Sequence, residues 1–154
     1  MEKTVVLVKP DAFQRGLVGR IVARFERKGL KLIGMKMIKI SPELAKEHYA
    51  HLVDKPFYPG LEKFMTSDPI LVFVVEGQEA IEVVRKIVGV TNSRKAEAGT
   101  VRGDFSMSTG RNTIHASDSQ ETAQKELARF FKPEELFEYD LKVWDYLYAE
   151  DEKE

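Results

Sequence analysis

The chain has 154 residues, 43% of them hydrophobic, with 24 basic and 25 acidic side chains and a net charge of −1. That is enough apolar material for the core of one domain, and the lack of cysteine excludes disulfide frameworks, thiolate zinc sites and cysteine nucleophiles. A near-neutral balance gives no field to hold a nucleic-acid backbone, so any anion site has to be local and no specific nucleic-acid partner is expected.

Val5-Val6-Leu7-Val8 is a continuous apolar run closed by Lys9-Pro10, which predicts a buried central strand with Lys9 at its C-terminal end. From Leu17 to Lys28 the residues Val18, Ile21, Val22 and Phe25 recur at helical spacing until Gly29 stops the pattern, predicting a helix packed on that strand. Leu30 to Ile40 interleaves Leu, Ile and Met with lysines, as a partly exposed strand does. Ser41-Pro42-Glu43 supplies a cap, a first-turn proline and an acid for a helix that carries His48 and Tyr49. After a loop holding Lys55 to Gly60, Leu61 to Met65 can form a short helix. Ile70 to Val75 is the clearest buried strand, ended by Gly77. It is also the longest apolar run, far short of the roughly 20 residues that span a bilayer. The N-terminus has no apolar stretch of the signal-peptide kind, so a cytoplasmic protein with no membrane partner is expected.

Ala80, Ile81, Val84, Ile87 and Val88 mark one helix face and leave Glu82, Arg85 and Lys86 towards the polar side. Gly89 to Arg111 is glycine-bearing and weakly periodic, and reads as a long functional loop that delivers Thr91 and Arg102. Thr113 to Ala116 predicts a short strand. Ser117 or Asp118 is expected to cap a helix running to about Phe130, since Gln120 and Glu121 each stand three residues on. The acidic and lysine tail Glu150 to Glu154 is expected to fray. This order predicts an α+β fold, a ferredoxin-like sandwich with a mostly antiparallel four-stranded sheet and helices packed on it, forming one domain over residues 1–154.

The informative segment for chemistry is Asn112-Thr113-Ile114-His115-Ala116-Ser117-Asp118, with Glu126 on the helix that follows. A histidine attacks a phosphoryl group when one ring nitrogen is neutral and free and the other is oriented by an acceptor, a part that Glu126 could fill. Phosphoryl transfer also needs positive charge and fixed donors around the equatorial oxygens, and Lys9, Arg85, Thr91 and Arg102 stand outside any solvated charge run. Taken singly, each has a plainer reading: Arg85 as a surface ion pair, Thr91 as part of a turn, Phe57 and Tyr49 as core aromatics. The chain has no G-x-x-x-x-G-K-[ST] loop, no G-x-G-x-x-G after its first strand and no protein-kinase signature set, so any nucleotide is handled by another scheme. His48 and His51 read as surface or structural histidines, and Asp118 as a cap or the partner of a basic residue.

The run Asn112-Thr113-Ile114-His115-Ala116-Ser117-Asp118-Ser119 resembles the motif N-x-x-H-[GA]-S-D-S of nucleoside diphosphate kinases. Lys9-Pro10-Asp11-Ala12, His48-Tyr49, Lys55 to Leu61, Gly99 to Phe105 and Phe131 to Leu136 extend the resemblance over nearly the whole chain. It implies that His115 is the phosphorylated nucleophile, held by Glu126, with Ser117 supporting that carboxylate and Tyr49 packed beside the histidine. It further implies that Phe57 stacks on the nucleobase with Leu61 near it, that Lys9 and Asn112 bond the ribose hydroxyls, and that Arg85, Thr91 and Arg102 hold the phosphates. Nucleoside tri- and diphosphates would be the substrates, with Mg²⁺ arriving on their phosphates rather than at a dedicated protein metal site, and a homo-oligomer, in the family a hexamer, is expected.

The chain departs from the family in having Ser93 and Ala98 where prolines are common, which leaves the unfolded loop freer, and Thr109 where an aliphatic side chain often meets the base. Two other readings stay open on the sequence: a histidine phosphocarrier, which has no use for a base platform or ribose donors, and a non-catalytic ferredoxin-like module that binds RNA.

Overall fold

Val5 to Val8 are completely buried, as their uninterrupted apolar run requires, and lie in strand β1, Glu2–Val8. The computed structural model describes residues 1–153. Pro10 does more than close β1: it sits in the first turn of a short helix α1, Pro10–Gln14, where its missing N–H is not needed. Helix α2, Val18–Lys28, ends where expected, on Gly29 in the left-handed region with φ 92°. Strand β2, Lys31–Ile38, leads to helix α3, Pro42–His48, whose start is capped by the Ser41 hydroxyl accepting from the Leu44 amide at 3.1 Å. Helix α4, Tyr58–Met65, begins three residues earlier than the apolar pattern indicated, because Pro59 suits its first turn. Strand β3, Ile70–Gly77, and helix α5, Ala80–Val88, follow the predicted pattern.

The long segment after α5 is more ordered than its weak periodicity suggested. It holds a 3₁₀ turn, Ser93–Lys95, and a helix α6, Val101–Phe105, capped by Thr100. Gly103 lets α6 lie against the loop: a β-carbon there would come within 1.9 Å of the Glu97 carbonyl oxygen. Strand β4, Ile114–Ala116, precedes helix α7, Gln120–Phe130. The α7 cap is Ser119, accepting from Thr122 at 3.1 Å, and neither Ser117 nor Asp118 as expected. Beyond the 3₁₀ turn Pro133–Glu135, the chain runs back over the outer side of β2, where the Phe137 amide donates to the Ile33 carbonyl at 2.8 Å and the Tyr139 hydroxyl to the Leu32 carbonyl at 2.7 Å. A last helix α8, Trp144–Leu147, is followed by a 3₁₀ turn Glu150–Glu152 in the tail expected to fray; Glu154, also part of that expectation, is outside the described residues.

The strands form one sheet in the order β2-β3-β1-β4, with every neighbouring pair antiparallel, which is the ferredoxin-like arrangement. Two-residue periodicity divides the strands between two cores. Val6, Val8, Phe73 and Val75 pack with Ile21 and Phe25 of α2 and Val84 of α5; Val5, Leu7, Val72 and Val74 pack with Ala45, Met65 and Phe130 on the other face. Among the described residues no helix is long and apolar enough to cross a membrane.

The chain enters β4 through a three-residue γ-turn. Thr113 is fully buried with φ 64°, and the Ile114 amide donates back to the Asn112 carbonyl at 2.7 Å. The turn is pinned by the Lys9 amide on the Thr113 carbonyl at 2.8 Å and by the Thr113 amide on the Asp11 carboxylate at 3.1 Å. Asn112 and His115 therefore leave the two sides of a bend anchored to the end of β1.

Candidate active site

β4 pairs His115 directly with Leu7, so the imidazole projects from the same face as Leu7, towards α3 and α7. From α7, the buried Glu126 brings Oε1 to 2.7 Å from His115 Nε2, while Oε2 accepts a hydrogen bond from the Ser117 hydroxyl at 2.6 Å. Ser117 is committed to this carboxylate, which is why it cannot cap α7. Both oxygens of Glu126 are thus satisfied, as burial demands. An acceptor on the Nε2 side fixes the proton there and leaves the lone pair on Nδ1.

A second chain of hydrogen bonds runs beside the histidine. Lys9 Nζ donates to Asn112 Oδ1 at 2.8 Å, and the Asn112 amide nitrogen donates to the Thr91 carbonyl at 3.1 Å. Burial, and then the nearby Arg102 charge, lower the Lys9 pKa to about 8. Arg102 is itself buried and braces the site: Nη1 donates to the Gly89 carbonyl at 2.8 Å and Nη2 to the Ile114 carbonyl at 2.7 Å. Burial and the neighbouring Arg85 bring its pKa down to about 10. Arg85 leans from α5 with Nη1 3.5 Å from the Ala116 carbonyl. Three cations that would repel one another are gathered at one end of the site, an arrangement that suits a polyanionic ligand.

These groups open onto a cavity of about 1230 Å³. Every candidate catalytic or nucleotide-binding residue named from the sequence lines it except Ser117, which lies behind Glu126. At the other end stand Leu61 and Phe57, the latter 57% exposed although it is a large aromatic side chain. A ring exposed at a cavity mouth has a face free for stacking, which disfavours the plain reading of Phe57 as core. Tyr49 is buried, its ring 4.5 Å from that of His48, and burial followed by the Glu126 charge pushes its hydroxyl pKa up.

Of the two readings left for His48, surface or structural, burial favours the second, but at a place the sequence did not indicate: its ring meets the His115 ring edge-on at 4.7 Å between centroids and brings Nδ1 to 3.7 Å from Glu126 Oε1. The spacing of Ala45, His48 and Tyr49 on one helix face was the available signal. His48, His115 and Glu126 are close enough together to suggest a metal site. Their atoms are already engaged, however: Glu126 by His115 and Ser117, and His48 Nδ1 by the Arg129 guanidinium at 3.3 Å. Asp118 lines the cavity, where a hydrogen bond from Thr122 and the proximity of Arg85 hold its carboxyl below the usual range.

A nucleophile-type histidine, a cationic end and an aromatic platform in one cavity make a family comparison decisive, and the model of the nucleoside diphosphate kinase family matches residues 2–136. The chain belongs to that family. A nucleoside diphosphate kinase of Parabacteroides distasonis is 55% identical over 152 residues, covering 99% of each chain. One of Archaeoglobus fulgidus is 49% identical over 150 residues, 97% of this chain and 99% of the other. Among solved structures, the halophilic nucleoside diphosphate kinase of Halobacterium salinarum in complex with CDP superposes with a TM-score of 0.93 at 45% identity, over 96% of this chain and 99% of that one. The Aquifex aeolicus nucleoside diphosphate kinase gives 0.85 at 40% identity, over 88% and 99%. The nucleoside diphosphate kinase fold thus extends over both cores and the cavity between α3, α4 and β4.

Proposed function

We propose that this chain is a nucleoside diphosphate kinase in which His115 Nδ1 carries the phosphate between two nucleotides. The observation that supports this most directly is the 2.7 Å bond from His115 Nε2 to a Glu126 carboxylate that Ser117 holds from behind. In the first half-reaction the Nδ1 lone pair forms a bond to the γ-phosphorus of a nucleoside triphosphate. The bond to the β–γ bridging oxygen breaks, and the diphosphate leaves with its electron pair. Positive charge then grows on the imidazole, and Glu126 offsets it through the Nε2 proton. In the second half-reaction a β-phosphate oxygen of another diphosphate forms a bond to the phosphorus, the Nδ1–P bond breaks, and its electron pair returns to Nδ1.

Arg85, Arg102 and the Thr91 hydroxyl take the phosphates, Lys9 and Asn112 the ribose hydroxyls, and Phe57 with Leu61 the base. Tyr49 walls the histidine. A stacking face accepts any base, so broad nucleotide use follows. Magnesium prefers oxygen ligands and keeps water; Thr91 and Asp118 at the cationic end fit an ion that arrives on the phosphates and offsets their charge. The domain is the whole chain, 1–154, and the setting is cytoplasmic. A homo-oligomer, a hexamer by family resemblance, is supported by the position of β2 at the sheet edge, where Met35 and Met37 stand exposed.

The test is to mix the protein with γ-labelled ATP and Mg²⁺, look for alkali-stable, acid-labile label, then add GDP. Label that passes to GDP and is absent in His115→Gln supports the reading. Label that never attaches, or stays on the protein, overturns it and favours a binding module or a phosphocarrier.

A further inference from the structure

One carboxylate oxygen in this site has two histidines beside it. Glu126 Oε1 lies 2.7 Å from His115 Nε2 and 3.7 Å from His48 Nδ1. Which ring takes that oxygen depends on which one carries a proton towards it. A protonated His48 would aim an Nδ1–H at the oxygen that orients the nucleophile, and the shorter bond would lose its exclusive partner.

The structure contains a device against this. Arg129 Nη1 is 3.3 Å from His48 Nδ1, and a guanidinium can only donate, so Nδ1 must accept. The proton of neutral His48 is thereby placed on Nε2, on the far side of the ring from Glu126. Arg129 is held in turn by Glu47, with Nε 2.9 Å from Oε1. The His48 ring is closed in by Tyr49, Phe130 and His115, at 4.5, 5.3 and 4.7 Å between centroids. We propose that Arg129 and His48 act as a positioning pair, Arg129 keeping Nδ1 of the neutral His48 bare so that Glu126 stays assigned to His115. This rests on the kinase reading above and adds to it a residue pair that fixes the tautomer beside the carboxylate of the nucleophile.

The charged and titratable groups facing His48 are Glu126 and Arg129 from α7, His115 from β4, Lys9 from the end of β1, and His51 from the 3₁₀ turn after Tyr49. Burial is the largest influence, followed by His115, Arg129, Lys9 and His51, and together they lower the His48 pKa to about 2. Burial alone keeps the ring neutral at working pH, so removal of Arg129 acts on where the proton sits and not on whether the ring is charged.

The rate of His115 labelling from γ-labelled ATP and Mg²⁺ would be followed in single turnovers between about pH 5 and 9, where an unperturbed histidine changes charge. Burial keeps the ring neutral across this range, so Arg129→Met should act through the tautomer: the proton leaves Nε2, which is buried without a partner, for Nδ1 beside Glu126, and labelling slows by about fivefold at every pH. Adding His48→Leu, which has no proton to offer, should restore the rate. An unchanged rate in Arg129→Met, or an equal loss in the double variant, overturns the proposal. If the unsubstituted chain takes no label at all, it is the kinase reading that fails, and the histidine ¹⁵N shifts of that chain then decide the state of His48. A bare Nδ1 and a protonated Nε2 at about pH 6 support the pair, and a protonated Nδ1 overturns it.

Discussion

Glu126 stands at the centre of the site because it accepts from both His115 and Ser117, and in the proposed mechanism it orients the nucleophile and offsets its developing charge. Replacing it with Gln keeps the shape but removes the charge, and leaves Ser117 and His115 facing an amide. Single-turnover labelling of His115 is expected to slow by about 10²-fold, with a smaller change in KM, since the loss falls mainly on the transition state. Lys9 gives a prediction in pH. Its pKa is lowered from 10.5 to about 8, so above about 8 the folded protein loses a cation that the proposed mechanism gives to the ribose. KM for nucleotide should climb as pH rises through that value, and a flat KM would show that Lys9 does not touch substrate. The same shift acts on stability with the opposite sense. Between 8 and 10.5 the unfolded chain binds more protons than the folded one at this residue, so the Lys9 contribution to stability improves as pH rises through that window.

At the scale of elements, the strands and long helices were legible because their signals are local: an apolar run for β1, a 3.6-residue period ended by a left-handed glycine for α2, a serine and proline for α3. The α7 cap was misplaced for a reason no local pattern carries. Ser117 is drawn to a carboxylate nine residues away in sequence, so the helix starts on Ser119. The place of His48 beside the site was out of reach likewise, since its neighbours Glu126 and His115 come from distant elements that only the fold brings together. The segment after α5 was read as loop because α6 is short, but it is tied on both sides by Arg102. Gly103→Ala would force α6 off the Glu97 backbone and carry Arg102 with it. A loss of about 1–3 kcal/mol in urea unfolding is expected, together with slower labelling; normal stability and rate would show that α6 does not set the position of Arg102.

For the whole molecule, the sheet separates two tasks. The face packed by α2 and α5 is hydrocarbon and supplies stability, whereas the other shares its core with the walls of the cavity. That division was beyond the sequence, because β1 and β3 are apolar on both sides and only the register shows which residues face which layer. The edge strand β2 is covered by the returning chain at Leu32 and Ile33, but Met35 and Met37 further along are not. If this exposed stretch meets a second copy, Met37→Asp should lower the mass measured by sedimentation without abolishing His115 labelling, because no residue of β2 lines the cavity. An unchanged mass would move the contact elsewhere.

The bend at Thr113 bears on how such a protein can be toughened. A β-branched residue held at φ 64° is disfavoured by about 1–3 kcal/mol, and glycine takes the same backbone at no steric cost. Thr113→Gly is therefore expected to raise the melting temperature. It should also blunt turnover, since the relaxed bend no longer fixes Asn112 and His115 on either side of it; an unchanged rate would uncouple the two. Hardiness and speed would then be opposed at one backbone angle. A search for heat-resistant variants that scores only survival would converge on this position and select slower catalysts there.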